Sequence, residues 1–319
     1  MTAGRQETVA PGREKRGASQ WDVAWRRFRR NRAALIGMFM IAVLLVVVVF
    51  GDFMAPYPAR PNPDAYKPFY EGETSRSPSS KHPLGTASNG VDIFSEIIHG
   101  SRYAMYVALT VTFVTMAIAT VVGVVAGYFG KQIDNVLMRT TEVFLVFPAL
   151  LFILLLARIY QLANPSPFWN LPFGISIPAG LTIVVLVISL FGWASNARLV
   201  RGEVMRIREF EFVQAVRALG ASNSRIMWRH LLPNVLSPII VVGTLQMANA
   251  ILVEAAVSFL GFGDPNVTTW GLILNENFNY ISTTWWAEVF PGLAVLWSVL
   301  GFNLLGDGLA DALNPRLRQ

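Results

Sequence analysis

The chain has 319 residues, 53% of them hydrophobic and 14% charged, with a mean hydropathy of +0.46. Soluble domains carry roughly 25% charged residues, so an ordinary soluble globule is excluded. The absence of cysteine excludes disulfides and thiolate metal sites, and His82, His99 and His230 stand too far apart for a zinc-ligand spacing.

Residues 1–20 are mostly Gly, Ser, Glu, Lys and Arg without an apolar period and read as a disordered cytoplasmic tail. From Trp21 to Arg32 the chain is basic, with aromatics at Trp21, Trp25 and Phe28. Such a run could bind nucleic acid. Because it abuts a membrane span, a helix on the cytoplasmic membrane surface is the better reading. Residues 33–50 are uncharged and long enough to cross a bilayer. A cleaved signal has an apolar core of roughly 7–15 residues, so a retained first span fits better.

Residues 51–101 hold seven prolines and are expected to form an extended external loop. Residues 103–130 form the second span. The third is short of apolar length: residues 143–157 reach only about 22 Å across a core of roughly 30 Å. It must start near Asn135 and bring Arg139 and Glu142, an i, i+3 pair, to the membrane edge, with a kink at Pro148. Pro165, Pro167 and Pro172 mark the next loop. The remaining spans are residues 178–196, 235–261 (with Glu254 inside) and 289–306, and 264–286 is a loop.

Six spans place both termini on one side. With those termini in the cytoplasm, 20 of the 26 Lys and Arg fall inside and 6 outside, as the positive-inside rule requires. The net charge of +6 is thereby explained by topology rather than by a nucleic-acid footprint.

The polar interlude at 198–234 is longer than a connection needs. Val204, Ile207, Phe210, Val213, Val216 and Leu219 recur every third residue, which predicts one apolar helical face. Gly220 ends that helix in a tight turn, a second short helix follows, and Pro233 opens the next span. On the residues alone, a docking surface and a plain membrane-surface connector both remain open.

The interlude resembles the EAA loop of permease subunits of ATP-binding-cassette importers. Ala215, Gly220, Leu232 and Pro233 match its pattern, while Gln214 and Val216 stand where the family has Glu and Ala. Arg229 to Asn234, with His230, is similar to the peptide-permease form. His82 to Thr86, Gly90, Asp92 and Gly100 to Arg102 resemble the family's outer-loop pattern, with departures at Ala87, Val91 and Glu96. Residues 254–261 and 303–315 resemble its C-terminal blocks. The branch is that of the dipeptide, oligopeptide and nickel permeases.

This resemblance implies an all-α type I importer permease fold with six transmembrane helices, an N-terminal surface helix and an external loop within 21–101, and a core at 102–319. It implies that Glu211, Phe212, Gln214, Ala215, Arg217, Gly220, Ala221, Arg229, His230 and Pro233 form a helix that couples to the ATPase. Glu254, Arg139 and Glu142 are gate or structural groups within the membrane. The expected partners are two nucleotide-binding ATPase subunits, which bind ATP and Mg, a second homologous permease, an extracytoplasmic solute-binding protein and membrane lipid. The expected setting is a prokaryotic inner or plasma membrane. The chain lacks a Gly-x-x-x-x-Gly-Lys-Ser/Thr loop and is not expected to be an enzyme. Peptides are the expected solute, with oligosaccharides or nickel complexes as alternatives. An ion-coupled secondary transporter would call for inverted repeats and midplane ionisable groups. A membrane enzyme would call for clustered catalytic groups; neither pattern stands out.

Overall fold

The computed structural model describes residues 25–58, 74–163, 168–171 and 175–313. The expected tail at 1–20, Trp21 and the rest of 59–73 lie outside them. Residues 25–28 form one helical turn in which Trp25 stacks on Phe28, and Phe28 is buried against Ala34 and Ala312. The next helix, α1 (Arg32–Met54), starts at Asn31, whose side chain accepts from the Ala34 amide at 3.2 Å. It runs four residues past the expected end and stops before Pro56.

The second helix, α2 (Ile93–Phe129), begins well before the expected residue 103. The expected loop to Ser101 is thus too long. The prolines that bar a helix end at Pro83, and Asp92 then caps α2 by accepting from the Ser95 amide at 2.8 Å. Gly130, with φ +65°, ends it.

The third span is broken rather than kinked. Helices α3 (Lys131–Val146) and α4 (Ala149–Leu162) meet at 72°. Phe147 is extended because it precedes Pro148, and Pro148 is itself outside the helical region, so two residues leave the helix. The pair still reaches from one end of the bundle to the other. Asp134 pairs with Arg201 near one end of the bundle, while Gln161 donates to the Gly263 carbonyl at 2.8 Å at the other.

The expected loop after α4 contains a two-stranded antiparallel hairpin, β1 (Phe168–Leu171) with β2 (Ile175–Pro178), a small addition to an otherwise helical fold. Helix α5 (Ala179–Ile207) continues eleven residues beyond the expected 196. Helix α6 (Glu211–Ala218) and the long α7 (Asn223–Phe259) follow. The expected 264–286 loop contains α8 (Trp270–Asn277), capped by Thr269. The last helix is α9 (Trp286–Leu313).

Among the described residues, five helices are long and apolar enough to cross a membrane, and the count reaches six with the bent α3–α4 pair taken as one span. Close backbone approaches hold the bundle together. A Cβ on Gly123 would lie 2.8 Å from the Ala197 carbonyl, and one on Gly127 would lie 2.8 Å from that of Arg201. Small residues at Ala119, Gly123 and Gly127 thus let α2 lie directly on α5, a membrane packing device. Helix α1 lies as close to α9, where Gly308 meets Ala34.

The bundle end away from α6 is closed by indole and carboxylate contacts. Trp286 Nε1 donates to the Thr86 carbonyl at 3.0 Å and Trp270 Nε1 to that of Ile97 at 3.0 Å. His82 Nδ1 lies 2.9 Å from Asp92 Oδ1, both buried, and Tyr57 stacks on His82. Pro178 gives α5 no side-chain cap. Asp264, buried in the loop after α7, supplies one in trans: Oδ2 accepts from the Leu181 amide at 3.0 Å, and Oδ1 from that of Asn266 at 2.9 Å. Asp264→Ala is expected to cost about 1–2 kcal/mol, seen as a lower melting temperature of the purified complex, while Asp264→Asn retains most of it.

Candidate functional site: the Gly220 hairpin

Helices α5 and α7 are joined at one end of the bundle by α6 and a sharp turn. The turn follows from the sequence. Gly220 takes φ +80°, its amide donates to the Arg217 carbonyl and that of Ala221 to the Val216 carbonyl. These two bonds and the half-buried Val216 and Ala221 make a Schellman stop. Glu211 sits in the first turn of α6 and Arg217 in the last, each suited to the helix dipole.

The hairpin is rooted in a core of its own. Val204, Ile207, Val213, Ile226 and Leu231 are buried with Val124 and Tyr128 of α2. Arg208 Nη1 donates to the carbonyls of Gly127 at 2.8 Å and Tyr128 at 3.3 Å, satisfying the open C-terminal end of α2. Tyr128 Oη donates to Asn223 Oδ1 at 2.7 Å, and the Arg217 guanidinium lies 5.7 Å from the Tyr128 ring.

The expected single apolar face from Val204 to Leu219 is corrected. Helix α5 ends at Ile207, the chain turns through 208–210, and α6 starts afresh. A three-residue repeat also drifts around a 3.6-residue helix. Val213 is therefore buried, while Phe210 is 45% exposed and Leu219 86%. With Phe212 and Trp228, also exposed, they give the hairpin a surface of apolar side chains between charged ones.

Glu211, Phe212, Gln214, Ala215, Arg217 and Gly220 lie on the exposed side of this element, as do Arg229 and Pro233, and Ala221 and His230 are half-buried. Gln214 Nε2 donates to the Glu209 carbonyl at 3.2 Å. Beyond Asn223 the chain winds as a π-helix over Ile226–Leu231. Pro233 accounts for the wider winding: it has no amide to give residue 229, and its ring would crowd that carbonyl. Asn234 Nδ2 takes the His230 carbonyl at 2.7 Å.

The three candidates expected within the membrane lie apart from the hairpin tip, and Glu254 lies apart from the other two. Arg139 and Glu142 form an exposed pair at 2.9 Å, with Arg198 of α5 at 3.8 Å from Glu142. Glu254 is buried near the opposite end of α7, where Ser258 Oγ donates to it at 2.6 Å. Sequence reasoning missed Arg208, the Arg201–Asp134 pair and the glycines of α2. Four-residue spacing of Ala119, Gly123 and Gly127 could have revealed the last, but nothing in the sequence pairs Arg208 with carbonyls 80 positions earlier. Among the described residues no group of His, Asp and Glu could hold a metal ion.

Up to six spans, with a structured hairpin between α5 and α7, define a polytopic membrane protein. Residues 119–319 match the family described as binding-protein-dependent transport system inner membrane component, and residues 19–70 match the N-terminal TM domain of oligopeptide transport permease C. The chain belongs to this family of ATP-binding-cassette permease components, in which the ATPase is a separate subunit. It is 34% identical to a dipeptide transport system permease protein of Alkalihalophilus pseudofirmus, over 94% of this chain and 91% of the relative. It is 32% identical to a glutathione transport system permease protein of Pectobacterium atrosepticum, over 96% and 94%. Identity to an oligopeptide transport system permease protein of Bacillus subtilis is 29%, over 96% and 92%.

Burial separates root from tip. Leu219→Asp is expected to change stability by less than about 0.5 kcal/mol and leave the yield of folded, membrane-inserted chain intact. Val213→Asp buries an unpaired charge and should abolish that yield. Detergent-soluble monodisperse protein is the measurement for both.

Proposed function

We propose that this chain forms half of the translocation path of an ATP-driven importer for short peptides, and that the Gly220 hairpin couples it to the ATPase. The observation that carries the coupling is the hairpin's division into a buried root and an apolar tip. Phe210, Phe212 and Leu219 stand exposed among charged residues at the polar end of a membrane bundle, the composition of an interface core with a polar rim. Glu211, Gln214, Ala215 and Arg217 flank them. Gly220 fixes the bend, and Ala221, Arg229, His230 and Pro233 carry displacement into α7.

The Lys and Arg distribution supports a cytoplasmic hairpin, with both termini on the same side. The working complex then comprises two ATPase subunits holding ATP and Mg, a second homologous permease and an extracytoplasmic solute-binding protein, in a prokaryotic inner or plasma membrane. Residues 1–20 serve as a tail, 21–101 as an anchoring N-terminal unit and 102–319 as the permease core. Relatives named for dipeptides, oligopeptides and glutathione share the chemistry of a short peptide, which supports that solute class. Glu254 is satisfied near the far end of α7 by Ser258, one turn on in the same helix, and Arg139 with Glu142 trims the membrane edge of α3. These are structural roles.

Reconstitution in proteoliposomes with partner permease and binding protein tests the reading. Peptide uptake should require the ATPase, and full uptake without it would exclude the proposal. Gly220→Val places a β-branched residue at positive φ with nothing within 4 Å to clash, so its cost is backbone strain of about 1–2 kcal/mol. Insertion should persist and ATP-driven uptake should fall at least tenfold. Normal uptake in this variant would reduce the hairpin to a connector.

A further inference from the structure

Buried hydroxyls in this bundle usually bond their own helix. Thr182 donates to the Pro178 carbonyl at 2.6 Å, Ser189 to that of Val185 at 2.8 Å and Ser298 to that of Ala294 at 3.0 Å, the standard way to satisfy a hydroxyl in an apolar setting. Thr112 and Thr115 of α2 do not. Both are more than nine-tenths buried, and neither Oγ1 has a protein hydrogen-bond partner. Gln246 of α7, equally buried, uses Oε1 to accept from Asn196 of α5 at 3.3 Å, and its Nε2 has no partner.

Two of these groups, Thr115 and Gln246, meet near the middle of three helices, at Gly192 of α5. The point a Cβ on Gly192 would occupy lies 3.3 Å from Gln246 Nε2 and 3.4 Å from Thr115 Oγ1. A side chain at that distance would press on both atoms, so the glycine keeps protein out of the niche beside two polar atoms that have no protein partner. Its own backbone is partly exposed, which gives the niche a mouth. Stranding such atoms in a membrane is costly.

We propose that this niche is a binding site for a single structural water, bridging α2 and α7 across α5. The ligand must accept from the Gln246 amide and can donate to the threonine hydroxyl. A metal cation cannot accept from an N–H, and the four named side chains are uncharged, so they hold no counter-charge for either a cation or an anion. Water meets both demands with the two to four partners a buried water takes. Rotating the Gln246 amide would turn its NH2 against the Asn196 NH2, so Nε2 belongs in the niche. The site stands whether or not the hairpin couples to an ATPase.

The test uses the assembled transporter in lipid nanodiscs. A cryo-EM map that resolves ordered waters should show a peak within about 3.2 Å of both Thr115 Oγ1 and Gln246 Nε2. A dry niche there, or a direct Thr115–Gln246 bond, overturns the proposal. Thermal unfolding gives an independent sign. Gly192→Ala fills the niche with a methyl and should lower the melting temperature. Gly192→Ser brings a hydroxyl and should recover most of the loss. Equal loss in the two variants overturns the proposal, because a methyl 3.3 Å from Gln246 Nε2 is crowded with or without a water.

Discussion

The close approach of α2 and α5 at Gly123 and Gly127 is the constraint on which the rest depends. Lipid tails are as apolar as leucine, so helices in a bilayer associate by packing and by hydrogen bonds rather than by escape from water. Removing two side chains lets these backbones meet. The contact brings Arg208 within reach of the last carbonyls of α2 and Val204 against Val124 and Tyr128. It thereby fixes where α5 ends and in which direction α6 leaves. Any side chain at Gly127 would meet the Arg201 backbone and the Val204 side chain together, displacing the root of the hairpin as well as the bundle.

The far end obeys a different rule. Helix α5 begins after a proline without a side-chain cap, and here and elsewhere at this end partners come from other segments. Asp264 closes α5, Asn275 Nδ2 takes the Phe259 carbonyl at the end of α7 at 2.7 Å, and the two tryptophan indoles take carbonyls of the 82–102 region. The segment from His82 to Arg102 thus reads physically as packing and capping: a Cβ on Gly85, whose φ is +78°, would lie 2.6 Å from the Trp286 indole nitrogen, and Arg102 pairs with Asp52 at 2.8 Å.

Crossings were legible in the sequence because apolar length is a local property. The order of six, the stop at Gly220 and the weakness at Pro148 all follow from residues next to one another. Boundaries failed where a distant group decided them. Helix α5 outlasts its apolar stretch because Arg201 and Arg208 find partners on α3 and α2, and residues 93–101 are helical because Asp92 caps them. The apolar repeat through 204–219 was a real pattern read across a turn that local composition does not announce. Gln214 and Val216, which depart from the family pattern, prove to have local employment: Gln214 holds the Glu209 carbonyl at the bend, and Val216 supplies the Schellman contact with Ala221.

The π-helical stretch at Ile226–Leu231 sets the rotational phase between hairpin and membrane. An α-helix advances about 100° per residue, and a π turn absorbs one residue beyond that count. Trp228, Arg229 and His230 therefore point where they do, relative to the lipid-embedded part of α7, by virtue of one surplus residue held open by Pro233. Winding the same residues as a regular α-helix would swing the hairpin's exposed surface by roughly a quarter turn, whereas deleting one residue would restore regular winding with both flanks in phase. The winding at this point thus sets the hairpin's direction in its own right, separate from the identity of any side chain it carries.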